Sequence, residues 1–556
     1  MSNIKIFGLG GLGEGGKNLY CIDVDKKLFI IEAGSINPPA EMIGIDSIIP
    51  DISFLIKNKS RIQGIFLSHG HEDKIGAVQE LLKHFRTNVY ASRFTMSILK
   101  DYFNESDVEY YNKNFQIVSE NSVLQFGNVS ISFFRTTHSI PESLGIAVHT
   151  EDGVIVYTGD YSFNTHVKKL YKTSFDKLID LKRENVLCLL SDSVGCTYQS
   201  TGDSNFLLEH SITEAFRKKG RVLVSAFSSE LDKIQMAIDI AIKFDRKIAI
   251  IGRKAQRIID ISVNLGYLKI PKDRLCSLRF IDSKNDNYSD DMVVLVTGDK
   301  HEPYYMLQRI ARKRDKLIHL NKKDTVLVMT IPLPGVEKMA ANTIDILYKS
   351  EANVIIVDRK VLRGAHASVY DTKMMYSLLE PEYIIPVLGE YRHLYAQLDV
   401  AKSYGFADDK IVMLDNGDVV KFKDGKKLPN LGSVEVGEVL VDGSLVGDIN
   451  AVVLKDRETL ARDGVLMVIG NIDARKRKAV SNIEIVSQGF IQEKENPEMF
   501  EEIKTLFEGV VSKHLKAKYI DWNVIKQEIR DETYKCIQKR TSKKTLIIPV
   551  LIDTVT

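Results

Sequence analysis

Two histidines one residue apart, with an aspartate two residues further on, stand in the run Ile65-Phe66-Leu67-Ser68-His69-Gly70-His71-Glu72-Asp73-Lys74. The apolar residues before His69 read as a strand, and the residues after His71 as the start of a helix. Imidazoles and a carboxylate at this spacing suit zinc or manganese. The rest of a donor set follows in chain order. Thr137-His138-Ser139-Ile140-Pro141 follows a strand, and Tyr157-Thr158-Gly159-Asp160 ends another in a Gly-Asp turn. His69, His71, His138 and Asp160 would make a three-nitrogen, one-oxygen site. Asp73 and Asp160 would give oxygens to a second, adjacent metal, with Asp160 bridging. Two such ions, roughly 3.5–4 Å apart, activate water and stabilise both attacking and leaving oxygens. Unrelated polar residues at strand ends are the plain alternative, but the ordered set argues against it.

The elements that must position these groups are those of a mixed α/β protein. At 556 residues the chain is too long for one ordinary domain. With 44% hydrophobic and 27% charged residues it has the profile of a globular protein. Five scattered cysteines without a CxxC pair point to a reducing, cytoplasmic setting. No secretory leader is evident, no apolar run approaches the ~18 residues of a membrane span, and no membrane partner is expected. A net charge of +2 leaves nucleic-acid binding to local basic patches such as residues 309–316, 475–478 and 539–544. Such runs also occur as ordinary solvated faces. The first 160 residues read as short strands, with one helix over residues 74–84 carrying Ala77, Val78, Leu81 and Leu82 on its apolar face. From residue 203 to 354 strands and helices alternate, the grammar of a parallel sheet. Residues 433–469 look like hairpins, including Val441-Asp442-Gly443. A last α/β unit has helices over 498–515 and about 521–540 and a strand over 546–552.

Two other signals fail in context. Gly8-Leu9-Gly10-Gly11-Leu12-Gly13 fits a dinucleotide fingerprint, but the glycine-rich continuation cannot open a helix. Ser191-Asp192-Ser193 lacks the G-x-S-x-G elbow of a serine hydrolase.

Taken together, the chain resembles the ribonuclease J family, a bacterial β-CASP branch of the metallo-β-lactamase superfamily. The resemblance runs nearly end to end. It is carried by Gly11-Leu12-Gly13-Glu14-Gly15-Gly16-Lys17-Asn18, the histidine motif, Thr137 to Glu142, Tyr157 to Asp160, Leu190-Ser191-Asp192-Ser193, His366-Ala367-Ser368 and Gly389-Glu390-Tyr391-Arg392-His393. It implies an α/β fold: a metallo-β-lactamase αββα sandwich (residues 1–202 and 355–450), an inserted parallel-sheet β-CASP domain (203–354), a linker (451–470) and a small α/β C-terminal dimerisation domain (471–556). It implies a metal-dependent 5′→3′ exoribonuclease, with endonuclease capacity, acting on single-stranded RNA with a 5′-monophosphate in rRNA processing and mRNA decay. Gly364, Ala365, His366, Ala367 and Ser368 would form a phosphate pocket. Ser228, Ser229, Glu230 and Leu231 would form a second contact, where the family has Ser-Asn and Glu230 adds an unwelcome negative charge. An ordinary turn with a capping serine is the alternative for His366 and Ser368. Asp192 falls on the β-CASP acidic position and would support ligand geometry or the domain junction.

Four departures from the family cluster at the chemistry. Family members carry His at Lys74, Asp at Glu32, which supports the site, His at Tyr370 and His at Leu388. The resemblance puts Lys74 and Leu388 where ligands of the second metal belong. It puts Tyr370 where a histidine contacts the scissile phosphate or protonates the leaving group. An ammonium near a dication is repelled by roughly 8 kcal/mol at about 4 Å and an effective dielectric near 20. Lys74 would therefore either bind metal as a neutral amine or place its ammonium in the second site, pairing with Asp73 and touching the phosphate. The second is preferred. The expected state is one complete site for Zn2+ or Mn2+, a doubtful second site, and weakened catalysis. The resemblance is thus to the degenerate second paralogue of Gram-positive bacteria, which pairs with a more active sister subunit. A non-cutting subunit that binds RNA and supports an active homologue, within a hetero-oligomer or RNA-degradation complex, is the alternative. A small-molecule metallohydrolase is disfavoured by the 203–354 insertion. Ile469, Ile483, Ile485, Ile547, Ile548, Val550 and Ile552 would lie on C-terminal strands and suit a two-fold homodimer contact, or else close a self-contained core.

Overall fold

A computed structural model describes residues 2–39, 42–164, 167–199, 204–276, 291–333, 335–362, 365–443, 445–447, 451–479, 483–517 and 519–553. Two compact units emerge, Met1–Asn37 with Ser47–Val439, and Pro38–Asp46 with Leu440–Thr556. Among the described residues no helix is long and apolar enough to cross a membrane.

In the larger unit, Asn3–Gly10, Leu19–Val24 and Lys27–Ile31 run antiparallel, and Lys27–Ile31 then pairs parallel with Ile62–Phe66. The glycine-rich loop after the first strand opens no helix; Gly11 and Gly13 hold φ of +90° and +74°, the left-handed backbone glycine tolerates. A second sheet runs Tyr383–Val387, Val186–Asp192, Gly153–Tyr157, Leu144–Thr150, Val129–Arg135, Val123–Phe126. The two sheets face each other through one core that includes Ile22, Phe29, Phe66, Ile131, Ile146, Tyr157 and Ile385. Helices Phe175–Arg183, Val369–Leu379 and Tyr391–Tyr404 cover the far side of the second sheet through Leu178, Met375, Tyr376 and Val400. This is the expected αββα sandwich. Val186–Asp192 is buried along its whole length, as a strand covered on both faces must be.

Val186–Asp192 pairs parallel with Tyr383–Val387, with Asp192 opposite Val387. The sheet thus resumes only after a long excursion. That excursion holds five strands, all parallel, in the order Lys247–Ile251, Met292–Gly298, Val222–Phe227, Thr325–Val328, Asn353–Ile356. It is the inserted α/β domain expected from the alternating pattern.

The helix expected over 74–84 starts earlier and is broken, into Glu72–Ile75 and Val78–His84. The Ala77 amide leaves the helical ladder to reach the Ala33 carbonyl at 2.8 Å. Ala77, Val78, Leu81 and Leu82 are buried as their periodicity requires. The stretch 451–470, expected as a linker and, as far as residue 469, as part of the hairpins over 433–469, is instead helix Ala451–Asp463 followed by most of strand Val465–Asp473. The hairpin at Val441-Asp442-Gly443 is present, with Val441 opposite Val446.

In the smaller unit Val465–Asp473 is central, antiparallel to Glu484–Gln488 and parallel to Leu546–Asp553. Helices Pro497–Leu515 and Trp522–Thr541 cover one face through Phe500, Ile503, Phe507 and Ile529. Period-two alternation sorts the expected apolar residues between the faces. Ile483 and Ile547 belong to the inner core and Ile485 packs against it, so these three do not lie on an open face. Ile469, Ile548, Val550 and Ile552 lie on the other face, where Ile548 is 39% and Ile552 47% exposed.

One close approach links this scaffold to the metal motif. A Cβ added to Gly34 would lie 1.7 Å from the Asp73 carbonyl oxygen. Gly34→Ala must therefore push the 73–74 backbone aside, at about 1–3 kcal/mol or more by analogy with overpacked cores. The urea midpoint should fall accordingly; an unchanged midpoint would show that the approach is not needed.

Candidate metal centre

The donors sit just beyond the C-terminal ends of three strands, Ile62–Phe66, Val129–Arg135 and Gly153–Tyr157. His69, His138 and Asp160 are buried and His71 is half-buried. His71 Nδ1 lies 3.1 Å from His69 Nε2 and 3.2 Å from His138 Nε2. Asp160 Oδ2 lies 3.6 Å and 3.7 Å from the same two nitrogens of His69 and His138. A tetrahedral shell with metal–ligand bonds of ~2.0–2.1 Å has ligand–ligand edges of about 3.3 Å. The four printed edges lie near that value and all four ligand atoms lie within 4.8 Å of one another, so these residues fit a divalent ion.

The outer hydrogen bonds agree. His69 Nδ1 faces Ser68 Oγ at 2.8 Å, His138 Nδ1 faces the Ala365 carbonyl at 2.9 Å, and His71 Nε2 faces the Ser229 carbonyl at 3.3 Å. Each ring can give its outer N–H to oxygen and keep a lone pair for the inward nitrogen, the usual arrangement of metal-bound histidine. Burial holds His69 well below the ordinary histidine pKa and brings His138 down to about 3, Asp160 only partly opposing it. Both are neutral and ready to ligate. Glu32 is fully buried at φ +64°, accepts the Ser68 amide at 3.2 Å, and is pushed up to about 8 by burial against the opposing pull of Lys74.

Beside this shell, Lys74 Nζ stands 2.5 Å from Asp73 Oδ2 and 3.0 Å from Asp160 Oδ1. Burial alone would lower its pKa, but Asp160, Asp73 and Glu32 outweigh it and hold the amine charged. Asp160, for which burial works the other way, is carried well below the usual range chiefly by Lys74 and His69. Lys74 is only 1% exposed, so the expected direct contact with a phosphate is not open to it in this structure. Leu388 offers no donor; its side chain joins the core between the sheets, its backbone holds φ +60°, and its amide reaches the Tyr20 hydroxyl at 3.2 Å.

His366 Nδ1 lies 3.0 Å from Asp192 Oδ2 and 4.0 Å from Asp160 Oδ2. Burial disfavours its charged form, yet Asp192 raises it to about 9. Ala367 is buried, and Ser368 caps helix Val369–Leu379 in a capping box with Asp371. Tyr370, in the first turn of that helix, is 67% exposed. Gly364 lies outside the described residues. In the second contact segment it is the carbonyl of Ser229, not its hydroxyl, that reaches His71. Ser228 Oγ donates to Asp299, Leu231 is buried, and Glu230 is paired with Lys233, which offsets its charge.

Two contacts were missed in the sequence. Asn18 Nδ2 donates to both the carbonyl and the carboxylate of Asp73, each at 3.0 Å. Lys300 pairs with Glu72 at 3.0 Å. Asn18 closes the glycine-rich run over residues 11–18, whose spacing alone does not signal this contact. Lys300 lies just past the C-terminal end of a parallel strand, where open α/β sheets place functional groups.

Comparison with known proteins agrees with this geometry. Family models match as metallo-beta-lactamase superfamily over residues 12–251, ribonuclease J beta-CASP domain over 219–347, and ribonuclease J C-terminal domain over 452–554. The proteins named Ribonuclease J 2 of Staphylococcus epidermidis and Staphylococcus aureus are each 34% identical over 552 residues, 99% of this chain and 98% of theirs. The chain belongs to the ribonuclease J family. A crystal structure of a protein of unknown function from Enterococcus faecalis V583 covers 76% of this ribonuclease J chain and 100% of its own, with TM-score 0.52 and 13% identity, a likeness of fold alone. As a ribonuclease J, the chain has the fold of an RNA-directed metallohydrolase, and its His/Asp cluster suits the divalent ion the fold implies.

The depressed histidines set a pH dependence for the metal-free chain. Their neutral form favours the fold above the unfolded-state pKa of about 6.5. Stability should therefore fall as pH drops from there toward about 3, where His138 protonates within the fold. Urea midpoints across this range should show a steeper slope in the unsubstituted protein than in His138→Asn; equal slopes would contradict the assignment.

Proposed function

We propose that this chain is a weakened, metal-dependent 5′→3′ exoribonuclease that works on single-stranded RNA bearing a 5′-monophosphate, with one resident ion. One observation carries the reading: the Lys74 ammonium stands between Asp73 and Asp160. His69, His71, His138 and Asp160 would hold a zinc or manganese ion, which when bound supplies Lewis acidity toward water and a phosphoryl oxygen. Lys74 pairs with both Asp73 and Asp160, its single charge offsetting one of the two, but lacks the coordination chemistry of a second ion. His366, charged by Asp192, presents a cationic N–H donor to a phosphate. Residual endonuclease action would use the same groups. Five free cysteines fit the cytoplasm as its compartment.

The purified chain should carry about one ion by plasma mass spectrometry, since a tetrahedral site needs four donors and among the described residues one such set of four is found. Lys74→His should raise that count in millimolar manganese. A count near two in the unsubstituted chain would overturn the reading. Monophosphorylated RNA should decay slowly with manganese, and His71→Ala should abolish that decay; survival of all decay in the variant would assign it to a contaminant.

The buried Leu388 favours a second reading, an assembly subunit that binds RNA and supports an active ribonuclease J homologue. Complete absence of decay, with RNA binding retained, would select it.

For assembly we infer a homodimer, or a mixed oligomer with such a homologue, through the uncovered face of the C-terminal sheet. Met467, Ile469, Ile548 and Val550 meet there in register and are half-buried or exposed. Ile548→Asp should give a monomer by light scattering with an unchanged far-ultraviolet spectrum. A persistent dimer would place the contact elsewhere.

A further inference from the structure

Consecutive residues of the metal motif are held by the inserted domain. His71 Nε2 lies 3.3 Å from the Ser229 carbonyl, and the Glu72 carboxylate oxygens lie 3.0 and 3.2 Å from Lys300 Nζ. Ser229 follows the strand Val222–Phe227, and Lys300 follows Met292–Gly298. These strands are neighbours in the parallel sheet, with Phe227 opposite Gly298. Two bonds tie their ends together: the Ser228 amide to the Gly298 carbonyl at 3.1 Å, and Ser228 Oγ to Asp299 Oδ1 at 2.5 Å. Lys300 and Ser229 therefore move as one piece. Across the same seam, the Asp232 amide reaches the Ser139 carbonyl at 3.2 Å and Ser139 Oγ the Ser229 carbonyl at 3.4 Å.

His71 needs this support more than its partners do. It is half-buried where His69 and His138 are buried, so packing restrains its ring least. Its inward nitrogen serves the metal shell, and among the described residues the acceptor facing its outer nitrogen is Ser229. If the inserted domain shifts, that acceptor leaves and the ring is free to turn. Glu72 is the next residue, and its bidentate pairing with Lys300 pins the domain at this point.

We propose that Lys300 is a positioning residue of the metal centre: its pairing with Glu72 holds the Ser228–Ser229 turn so that the Ser229 carbonyl orients His71 for the ion. Metal affinity at the site is thereby coupled to the docking of the inserted domain. Both partners are about one-third exposed, 31% for Lys300 and 34% for Glu72, so salt screens the pair. The proposal rests on the one-ion reading above.

The test uses the full chain stripped of metal and titrated with cobalt(II), whose visible absorption reports a tetrahedral site. The melting midpoint of each metal-free variant is measured alongside. Lys300→Ala should bind cobalt about 10-fold more weakly, the lower bound for losing an outer partner of a ligand, and its affinity should depend less on salt. Lys300→Arg should retain affinity. Affinity in Lys300→Ala equal to that of the unsubstituted chain overturns the proposal. If Lys300→Ala also lowers the melting midpoint, the charge-reversed pair Glu72→Lys with Lys300→Glu decides. Recovery of cobalt affinity over either single variant upholds the proposal, and no recovery overturns it. Asp160→Ala separates the two levels: undiminished cobalt binding there removes the one-ion reading itself, whereas its loss beside an unaffected Lys300→Ala removes only the role of Lys300.

Discussion

Everything at this site turns on two carboxylates, Asp160 buried and Asp73 about one-third exposed, that converge on one buried cation. Asp73 and Asp160 both turn an oxygen toward Lys74 Nζ, which is 1% exposed. In a two-ion hydrolase a dication fills that role and brings open coordination positions with it. A lysine brings one positive charge on a covalent stem and donors only. Beside these carboxylates it supplies charge and hydrogen-bond donors, and no open coordination position. The downward shift of Asp160 and the charged state of Lys74 are two views of this one interaction.

The surrounding backbone is built to hold the pair. Gly34 lies so close to the Asp73 carbonyl that no side chain fits, and Asn18 takes both the carbonyl and the carboxylate of Asp73. The Ala33 amide reaches the Lys74 carbonyl at 2.8 Å. The broken helix follows from the same demand: the segment after His71 is pinned to the loop after Ile31 on one side and cannot continue as an ideal helix on the other. The three histidines depend on more distant chain. Their outer N–H groups meet oxygen from Ser68, from Ser229 in the inserted domain, and from Ala365 where the chain returns. The sandwich supplies the ligands; the insertion and its return supply much of what aims them.

The clustering of His69, His71, His138 and Asp160 was legible in the sequence because each lies a few residues past the C-terminal end of a strand, where a histidine or aspartate at fixed spacing has little freedom of direction. The αββα sandwich and the parallel insertion were legible for a similar reason, since alternation and βα grammar are local signals. The misread parts depend on non-local partners. Residues 451–470 mix Val and Gly with charges, and only pairing with Leu546–Asp553 makes Val465–Asp473 a central strand. Whether Ile483, Ile485 and Ile547 face a partner or a self-contained core was left open by the sequence, because register, not composition, decides which side a strand residue takes; they join the core. Lys300 was invisible because its partner Glu72 lies in another domain, and no local spacing encodes a contact across that seam.

Leu388 and Lys74 are best understood together. A histidine at 388 is useful only with an ion to bind. With an ammonium and not an ion between Asp73 and Asp160, a buried imidazole there would face no Lewis acid and would carry the cost of an unmet polar group, roughly 1–3 kcal/mol. Leucine instead joins the core beside Tyr20 and Tyr157 and gains the burial of an aliphatic side chain, about 1.5–3 kcal/mol. The first substitution therefore turns the second from a loss into a gain in stability. The reverse path is uphill: restoring either histidine alone returns a polar group to a place still arranged for its replacement. The first site escapes this logic, because Asp160 serves both and cannot be lost without stranding Lys74 beside three imidazoles. That shared carboxylate ties the histidine cluster to Lys74, so neither can be rearranged without the other.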